Sequence, residues 1–222
     1  MALPNSVRFP LTLAVIAAIA GGGLAFVQVA TEKRVSANKQ RKLNAAFGQI
    51  PGYASNREVE LTRQFRKEHK YTKRERCFEL LGPDGRLIGY AAQVRCVKPS
   101  CYNSTDPIVL VVAVDPGIGK VQVVRTVANN ETPGLGSKVS RRKPPTALIG
   151  RPPGKEDPEY PFLFQFRNRS TGRLDAFGKG EKGGEGEKRF DAITGATISS
   201  NAVLGGVRRA VALIRAATGK RK

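Results

Sequence analysis

The segment from Asp191 to Ser200, Asp-Ala-Ile-Thr-Gly-Ala-Thr-Ile-Ser-Ser, places hydroxyl side chains and small residues directly before a helical pattern. Ser199 or Ser200 is expected to cap the first turn of that helix. The free backbone N–H groups at a helix start favour an anion such as a phosphate. The segment by itself is consistent both with a capped helix after a turn and with a phosphate site.

A second segment with chemical potential is Glu131 to Lys138, Glu-Thr-Pro-Gly-Leu-Gly-Ser-Lys. Pro133 fixes one backbone angle, and Gly134 and Gly136 remove side chains that would keep a flat ligand away from the backbone. A plain turn is the alternative interpretation.

Together and in this order, the two segments resemble motifs of the FMN-binding domain in the G subunit of the Rnf electron-transport complex. The C subunit of the sodium-pumping NADH:quinone reductase shares this domain. In that family the last Thr of Asp-Ala-Ile-Thr-Gly-Ala-Thr is esterified to the phosphate of FMN, so the resemblance implies covalent FMN on Thr197. The short chain and its single N-terminal hydrophobic segment favour the Rnf G subunit.

The resemblance also implies the residues around the flavin. The expected cofactor-binding residues besides Thr197 are Thr194, Gly195, Ala196 and Ser199 in the first motif and Glu131, Thr132, Gly134, Leu135 and Gly136 in the second. Asp191 is implied to help a separate flavin transferase attach the FMN, and a turn carboxylate without such a role is its alternative.

The implied function is a one-flavin electron relay inside a membrane complex that moves electrons between ferredoxin and NAD, coupled to ion translocation. It would be an enzyme only as a subunit, with the other subunits as partners. Three cysteines are too few to hold an iron–sulfur cluster by four thiolates. Two alternatives stay open: a membrane-tethered flavoprotein with another extracytoplasmic partner, and a non-enzymatic basic protein that binds anionic lipid or nucleic acid.

The charge balance is strongly basic, with 38 Lys and Arg against 18 Asp and Glu in 222 residues. Such a charge is typical of proteins that bind nucleic acid or anionic lipid. The basic residues are spread along the chain, and neither a zinc-finger spacing nor an RNP-like run accompanies them. We therefore expect no nucleic-acid partner.

The N-terminal run from Phe9 to Ala30 is apolar or small except at Thr12 and Gln28, and about 20 such residues suffice to cross a bilayer as a helix. A cleaved signal peptide is the alternative, but its apolar region is usually about 7 to 15 residues. We expect a retained anchor. The predicted division of the chain is an N-terminal tail (1–8), a transmembrane helix (9–30), a juxtamembrane stalk (31–50) and an FMN-binding domain (51–222).

Two indications of the orientation conflict. Basic residues are more numerous after the helix than before it, which by the positive-inside rule keeps the following domain in the cytoplasm. The resemblance implies instead a flavin domain on the periplasmic side of the inner membrane, and long domains translocate largely regardless of charge. We expect the periplasmic orientation. The basic face of the stalk would suit either anionic lipid headgroups or water.

The predicted fold class is α+β: after the membrane helix, mostly antiparallel strands and a C-terminal helix. Gly82-Pro83-Asp84-Gly85 predicts a hairpin between strands at 77–81 and 86–94. Apolar runs at 108–114 and 120–127 predict a second strand pair. The face predicted to be apolar in the last helix comprises Val203, Leu204, Val207, Ala210, Val211 and Ile214.

The remaining features carry no assigned function. Cys96 and Cys101 would be able to form a disulfide in an oxidising compartment and leave Cys77 buried, although spacing does not fix the geometry. The loop at 95–106 has no evident role. The glycine-rich stretch at 178–188 lacks the Gly-Lys-Ser/Thr of a phosphate loop and is typical of a solvated linker.

Overall fold

The computed structural model describes residues 5–96, 107–141, 161–178 and 190–219. Most of the loop at 95–106 and of the glycine-rich stretch at 178–188 lies outside these ranges, as does Cys101, so the disulfide between Cys96 and Cys101 is not tested. The chain forms two compact units, Met1–Lys42 and Leu43–Lys222.

The described residues of the first unit are all helical. Helix α1 runs from Asn5 to Phe47, and within the described residues it is the one helix long and apolar enough to cross a membrane. Its apolar side chains, such as Phe9, Leu24 and Phe26, are exposed. The predicted N-terminal apolar helix is thereby confirmed, and its length and composition are those of a single membrane span. It continues without a break through most of the segment predicted as a stalk.

The second unit is built on a five-stranded sheet whose neighbours all pair antiparallel in chain order. The strands are β1 (Ser55–Val59), β2 (Arg76–Leu81), β3 (Leu87–Arg95), β4 (Val109–Val114) and β5 (Val121–Ala128). Both predicted strand pairs are confirmed, and Gly85 takes the positive φ of +73° that the β2–β3 turn requires. Strand β1 was not predicted.

Both faces of the sheet are buried. Leu110, Val112 and Val114 of β4 pack in the cluster that contains the last helix, α5 (Thr197–Thr218). The intervening Val111 and Ala113 belong to a second cluster on the opposite face. The apolar residues of that cluster that precede the sheet are Leu43, Ala46, Phe47 and Ile50. A strand covered on both sides reads as a continuous apolar run, as 108–114 does.

Helix α5 packs with its predicted apolar face, and all six residues of that face are buried. At Gly206 an added Cβ would lie 2.6 Å from Leu110 Cδ1 and 2.9 Å from Cys96 Sγ, so glycine permits a close approach to the sheet. The helix ends at Gly219, which takes the left-handed conformation that glycine favours.

Three arginines of α5 donate hydrogen bonds to other elements of the unit. Arg209 donates to the fully buried Glu75. Arg208 donates to the backbone of α4 (Leu174–Gly178), and Arg215 to the hydroxyl of Thr171. The described part of this unit also contains two short helices, α2 (Arg63–Glu68) and α3 (Pro161–Phe164).

Candidate functional site

Helix α5 begins directly after a tight turn. The N–H of Ala196 donates to the carbonyl of Ile193 at 2.9 Å, and Gly195 has a φ of +77°, as the third residue of a type II turn requires. Ala196 takes the N-cap position without a side-chain cap. The predicted cap by Ser199 or Ser200 is wrong, because the turn starts the helix at Thr197 and places both serines inside it.

The two serines make other hydrogen bonds instead. The Ser200 hydroxyl accepts from the N–H of Ile193 at 3.0 Å and so holds the turn onto the helix. The Ser199 hydroxyl donates to Glu131 Oε2 at 2.7 Å. Both serines are buried.

The start of α5 has the features of an anion site. Among the described residues, no backbone carbonyl accepts from the N–H groups of Thr197, Ile198 or Ser199. Thr197 is exposed, and its neighbours Gly195 and Ala196 are small. An oxyanion ester on the Thr197 hydroxyl would therefore lie beside these donors at the positive end of the helix dipole. The residues present fit a phosphate.

The segment from Glu131 to Lys138 forms a second tight turn. The N–H of Leu135 donates to the carbonyl of Thr132 at 3.2 Å across Pro133 and Gly134, and Gly134 has a φ of +79°. Proline followed by glycine is the sequence that a type II turn favours. A 3₁₀ helix, Gly136–Ser140, follows at once.

The two motifs lie side by side. The bond between Ser199 and Glu131 joins residues 68 positions apart. An added Cβ at Gly195 would lie 3.7 Å from Leu135 Cδ2, so the two turns also approach each other. The predicted site residues are thus brought together at the start of α5.

Their exposure divides the predicted site residues into two groups. The exposed ones are Thr132, Gly134, Leu135, Thr194, Gly195 and Thr197, and the buried ones are Glu131, Gly136, Ala196 and Ser199. The exposed group forms the surface available to a ligand.

Sequence reasoning missed two residues at this site. Ile198 follows Thr197 and is 51% exposed, comparable with Leu135 at 49%. Large exposed aliphatic side chains are the kind that cover a flat ring. Gln165 accepts from the N–H of Asp191 at 3.0 Å and donates to its carbonyl at 3.3 Å. No local pattern in the sequence indicates this contact.

Aromatic side chains support the start of the first motif. Phe190 contacts the rings of Phe162, Phe166 and Phe177 at centroid distances of 6.1, 6.0 and 5.5 Å. These three rings thus pack around Phe190, the residue directly before Asp191.

The comparison with known proteins agrees with this geometry. The FMN-binding domain family matches residues 104–212, which include both motifs, and the RnfG N-terminal region matches residues 1–50. The chain belongs to the family of Rnf complex G subunits. Its second unit therefore contains the FMN-binding domain of that family, and its α1 lies in the matched N-terminal region.

Individual G subunits show the same relationship. The G subunit of an ion-translocating oxidoreductase complex from Shewanella loihica is 34% identical over 148 residues, covering 62% of this chain and 59% of that protein. The corresponding protein from Vibrio vulnificus is 25% identical over 217 residues, covering 92% and 87%. The G subunit of a proton-translocating ferredoxin:NAD(+) oxidoreductase complex from Clostridium ljungdahlii is 35% identical over 112 residues, covering 50% and 48%.

Proposed function

We propose that this chain carries FMN esterified through its phosphate to Thr197 and acts as an electron-relay subunit of a membrane-bound Rnf-type complex. The supporting observation is an exposed threonine hydroxyl at the first residue of α5, beside a loop with two glycines that packs on the same helix start. From the name of the Clostridium relative we take the electron route, between ferredoxin and NAD, and the coupling to ion translocation.

Bound FMN would supply reversible acceptance of electrons, and the protein supplies position and electrostatics. A phosphodiester on Thr197 keeps one negative charge, which the N–H groups of Thr197, Ile198 and Ser199 are placed to offset. Gly195 and Ala196 leave room beside it. Covalent attachment prevents loss of the flavin.

A separate flavin transferase would perform the attachment. The Asp191 carboxylate is exposed, and its backbone is held at both N–H and C=O by Gln165. As the family resemblance implies, Asp191 would then help the transferase position the Thr197 hydroxyl.

The test is covalent labelling of the full chain, co-expressed with a flavin transferase. In-gel fluorescence after denaturation and intact mass are expected to show one FMN on the wild type and none on Thr197→Ala. Thr218→Ala, at the other end of the same helix, is the matched control and should be labelled normally. Fluorescence that persists on denatured Thr197→Ala, or a wild type without the added mass, would refute the proposal.

We further propose that α1 crosses the inner membrane once and that the flavin domain lies on the periplasmic side. The length and full exposure of the apolar part of α1 support the crossing, whereas the side follows from the family resemblance alone. Alkaline phosphatase fused after residue 222 becomes active only when exported, so the fusion should be active. Green fluorescent protein fused at the same position would serve as the opposite reporter. An inactive phosphatase fusion together with a fluorescent green fluorescent protein fusion would mean that the flavin domain lies on the cytoplasmic side.

A further inference from the structure

A buried carboxylate lies directly beneath the loop of the second motif. Glu131 is 5% exposed and Ser199 is 4% exposed, and the Ser199 hydroxyl donates to Glu131 Oε2 at 2.7 Å. Burying a carboxylate is costly unless it is hydrogen-bonded. This carboxyl group therefore points into the protein, toward α5, and away from the exposed surface of the site.

The absence of a side chain at Gly136 leaves room for the contact between Glu131 and Ser199. A Cβ added there would lie 2.7 Å from both Cβ and Oε2 of Glu131 and would also collide with the Ser199 hydroxyl. Only glycine leaves space for the hydrogen bond. Gly134 differs, because a Cβ there would meet nothing within 4 Å and its φ of +79° is what the turn requires.

We propose that Glu131, Gly136 and Ser199 form a clamp that seats the flavin ring without touching it. This inference rests on the proposed attachment of FMN to Thr197. The clamp fixes the turn from Thr132 to Leu135 against the start of α5. The exposed Gly134 and Leu135 then form the wall on which the ring rests.

Attachment and seating are separate tasks in this arrangement. An ester joins the flavin to Thr197 through single bonds, which rotate and leave the ring free to swing. The turn restricts the ring only while the clamp holds that turn in place. Loss of the clamp should therefore spare the covalent bond and loosen the ring.

The experiment compares Ser199→Ala, Glu131→Ala and Glu131→Gln in the full chain in detergent. A glutamine oxygen still accepts from the Ser199 hydroxyl, so Glu131→Gln should preserve the clamp. Thr171→Ala is the control for lost stability, because its hydroxyl is buried against Ile118 and Arg215, away from the motifs. Four quantities are measured: covalent FMN by mass, quenching of flavin fluorescence by iodide, the reduction potential of the flavin, and amide hydrogen exchange of residues 131–138 without flavin.

We expect normal FMN mass in all variants. Ser199→Ala and Glu131→Ala should increase iodide quenching, shift the reduction potential and speed exchange of the loop amides about tenfold to a hundredfold, as loss of a charged hydrogen bond implies. Glu131→Gln and Thr171→Ala should resemble the wild type in all of these.

Two results would overturn the clamp. One is unchanged quenching, potential and exchange in Ser199→Ala. The other is a Glu131→Gln variant as altered as Glu131→Ala, because the hydrogen bond from Ser199 would then not be what holds the loop. A wild type without FMN would refute the attachment proposal alone, and loop exchange in the flavin-free protein would still decide the clamp.

Discussion

The Glu75→Ala substitution should destabilise the second unit far more than the loss of an exposed ion pair would. Glu75 is fully buried, and its carboxylate accepts from Arg209 Nε at 2.6 Å, from Arg209 Nη2 at 3.0 Å and from the N–H of Thr72 at 2.7 Å. The Arg209 guanidinium also lies 4.5 Å from the centre of the Tyr71 ring. The hydrogen bond that Arg209 donates to Glu75 is the largest cause that raises the pKa of Arg209.

The burial of the ion pair determines how much stability Glu75→Ala loses. Removing one partner of a buried ion pair costs about 3 to 5 kcal/mol, because the other charge is left without its counterion. At about 2 to 4 °C per kcal/mol for a unit of this size, the melting temperature should fall by about 6 to 20 °C. Replacing both partners, as Glu75→Leu with Arg209→Met, should recover part of this loss.

A second pair of the same chemistry provides the control. Glu58 and Arg76 also form two hydrogen bonds, but their side chains are 42% and 34% exposed, against 0% and 19% for Glu75 and Arg209. Glu58→Ala should cost no more than about 1 kcal/mol. Thermal unfolding followed by circular dichroism suits a chain without tryptophan. Equal losses for Glu75→Ala and Glu58→Ala would refute the reasoning from burial.

The packing and the site support four further predictions. A chain truncated to 43–222 should fold, whereas one truncated to 51–222 loses the apolar residues that cover one face of the sheet and should aggregate. Size-exclusion chromatography distinguishes the two outcomes, and equal behaviour of the two chains would contradict this packing. Burial raises the pKa of the Cys77 thiol to about 12. Peptide mass spectrometry should therefore find Cys77 unmodified by maleimide until the protein unfolds, and stability should decline as pH rises above the ordinary value of 9.0 toward 12. Gly206→Ala should cost about 1 to 3 kcal/mol in thermal unfolding, since its Cβ would overlap the sheet, and an unchanged melting temperature would contradict the close approach. Gln165→Ala should slow FMN attachment in a time course with purified transferase while leaving the final extent unchanged, and an unchanged rate would argue against positioning through Asp191.

The sheet was predictable where its strands are apolar. The run at 108–114 and the turn at 82–85 are local signals, and β2 to β5 follow from them. Strand β1, Ser-Asn-Arg-Glu-Val, has no apolar alternation, and among the described strands it lies at the edge of the sheet and pairs with β2 alone. Its pairing depends on β2 and not on its own side chains.

The stretch around the end of α1 shows that one sequence pattern is compatible with two different environments. Leu43, Phe47 and Ile50 among basic residues predict an amphipathic helix, but the pattern does not specify what its apolar face contacts. In the structure these side chains are buried against the sheet. The partner surface consists of β-strand residues far along the chain, so the local sequence was not able to indicate it.

The site was located by its motifs, but the roles of individual residues were not. The resemblance placed Glu131 and Ser199 among the flavin contacts, whereas the structure buries both and bonds them to each other. Residue type alone does not show whether a carboxylate faces a ligand or a neighbouring helix. The start of α5 was misjudged for a similar reason, since the positive φ of Gly195 begins the helix before the serines.

The most direct test of the central claim is to locate the flavin on the chain. Trypsin cleavage after Arg189 and Arg208 releases a peptide, 190–208, that contains Thr194, Thr197, Ser199 and Ser200. Fragmentation of this peptide from transferase-treated protein should place the whole FMN phosphate on Thr197. A peptide without added mass, or one modified at another hydroxyl, would contradict the account.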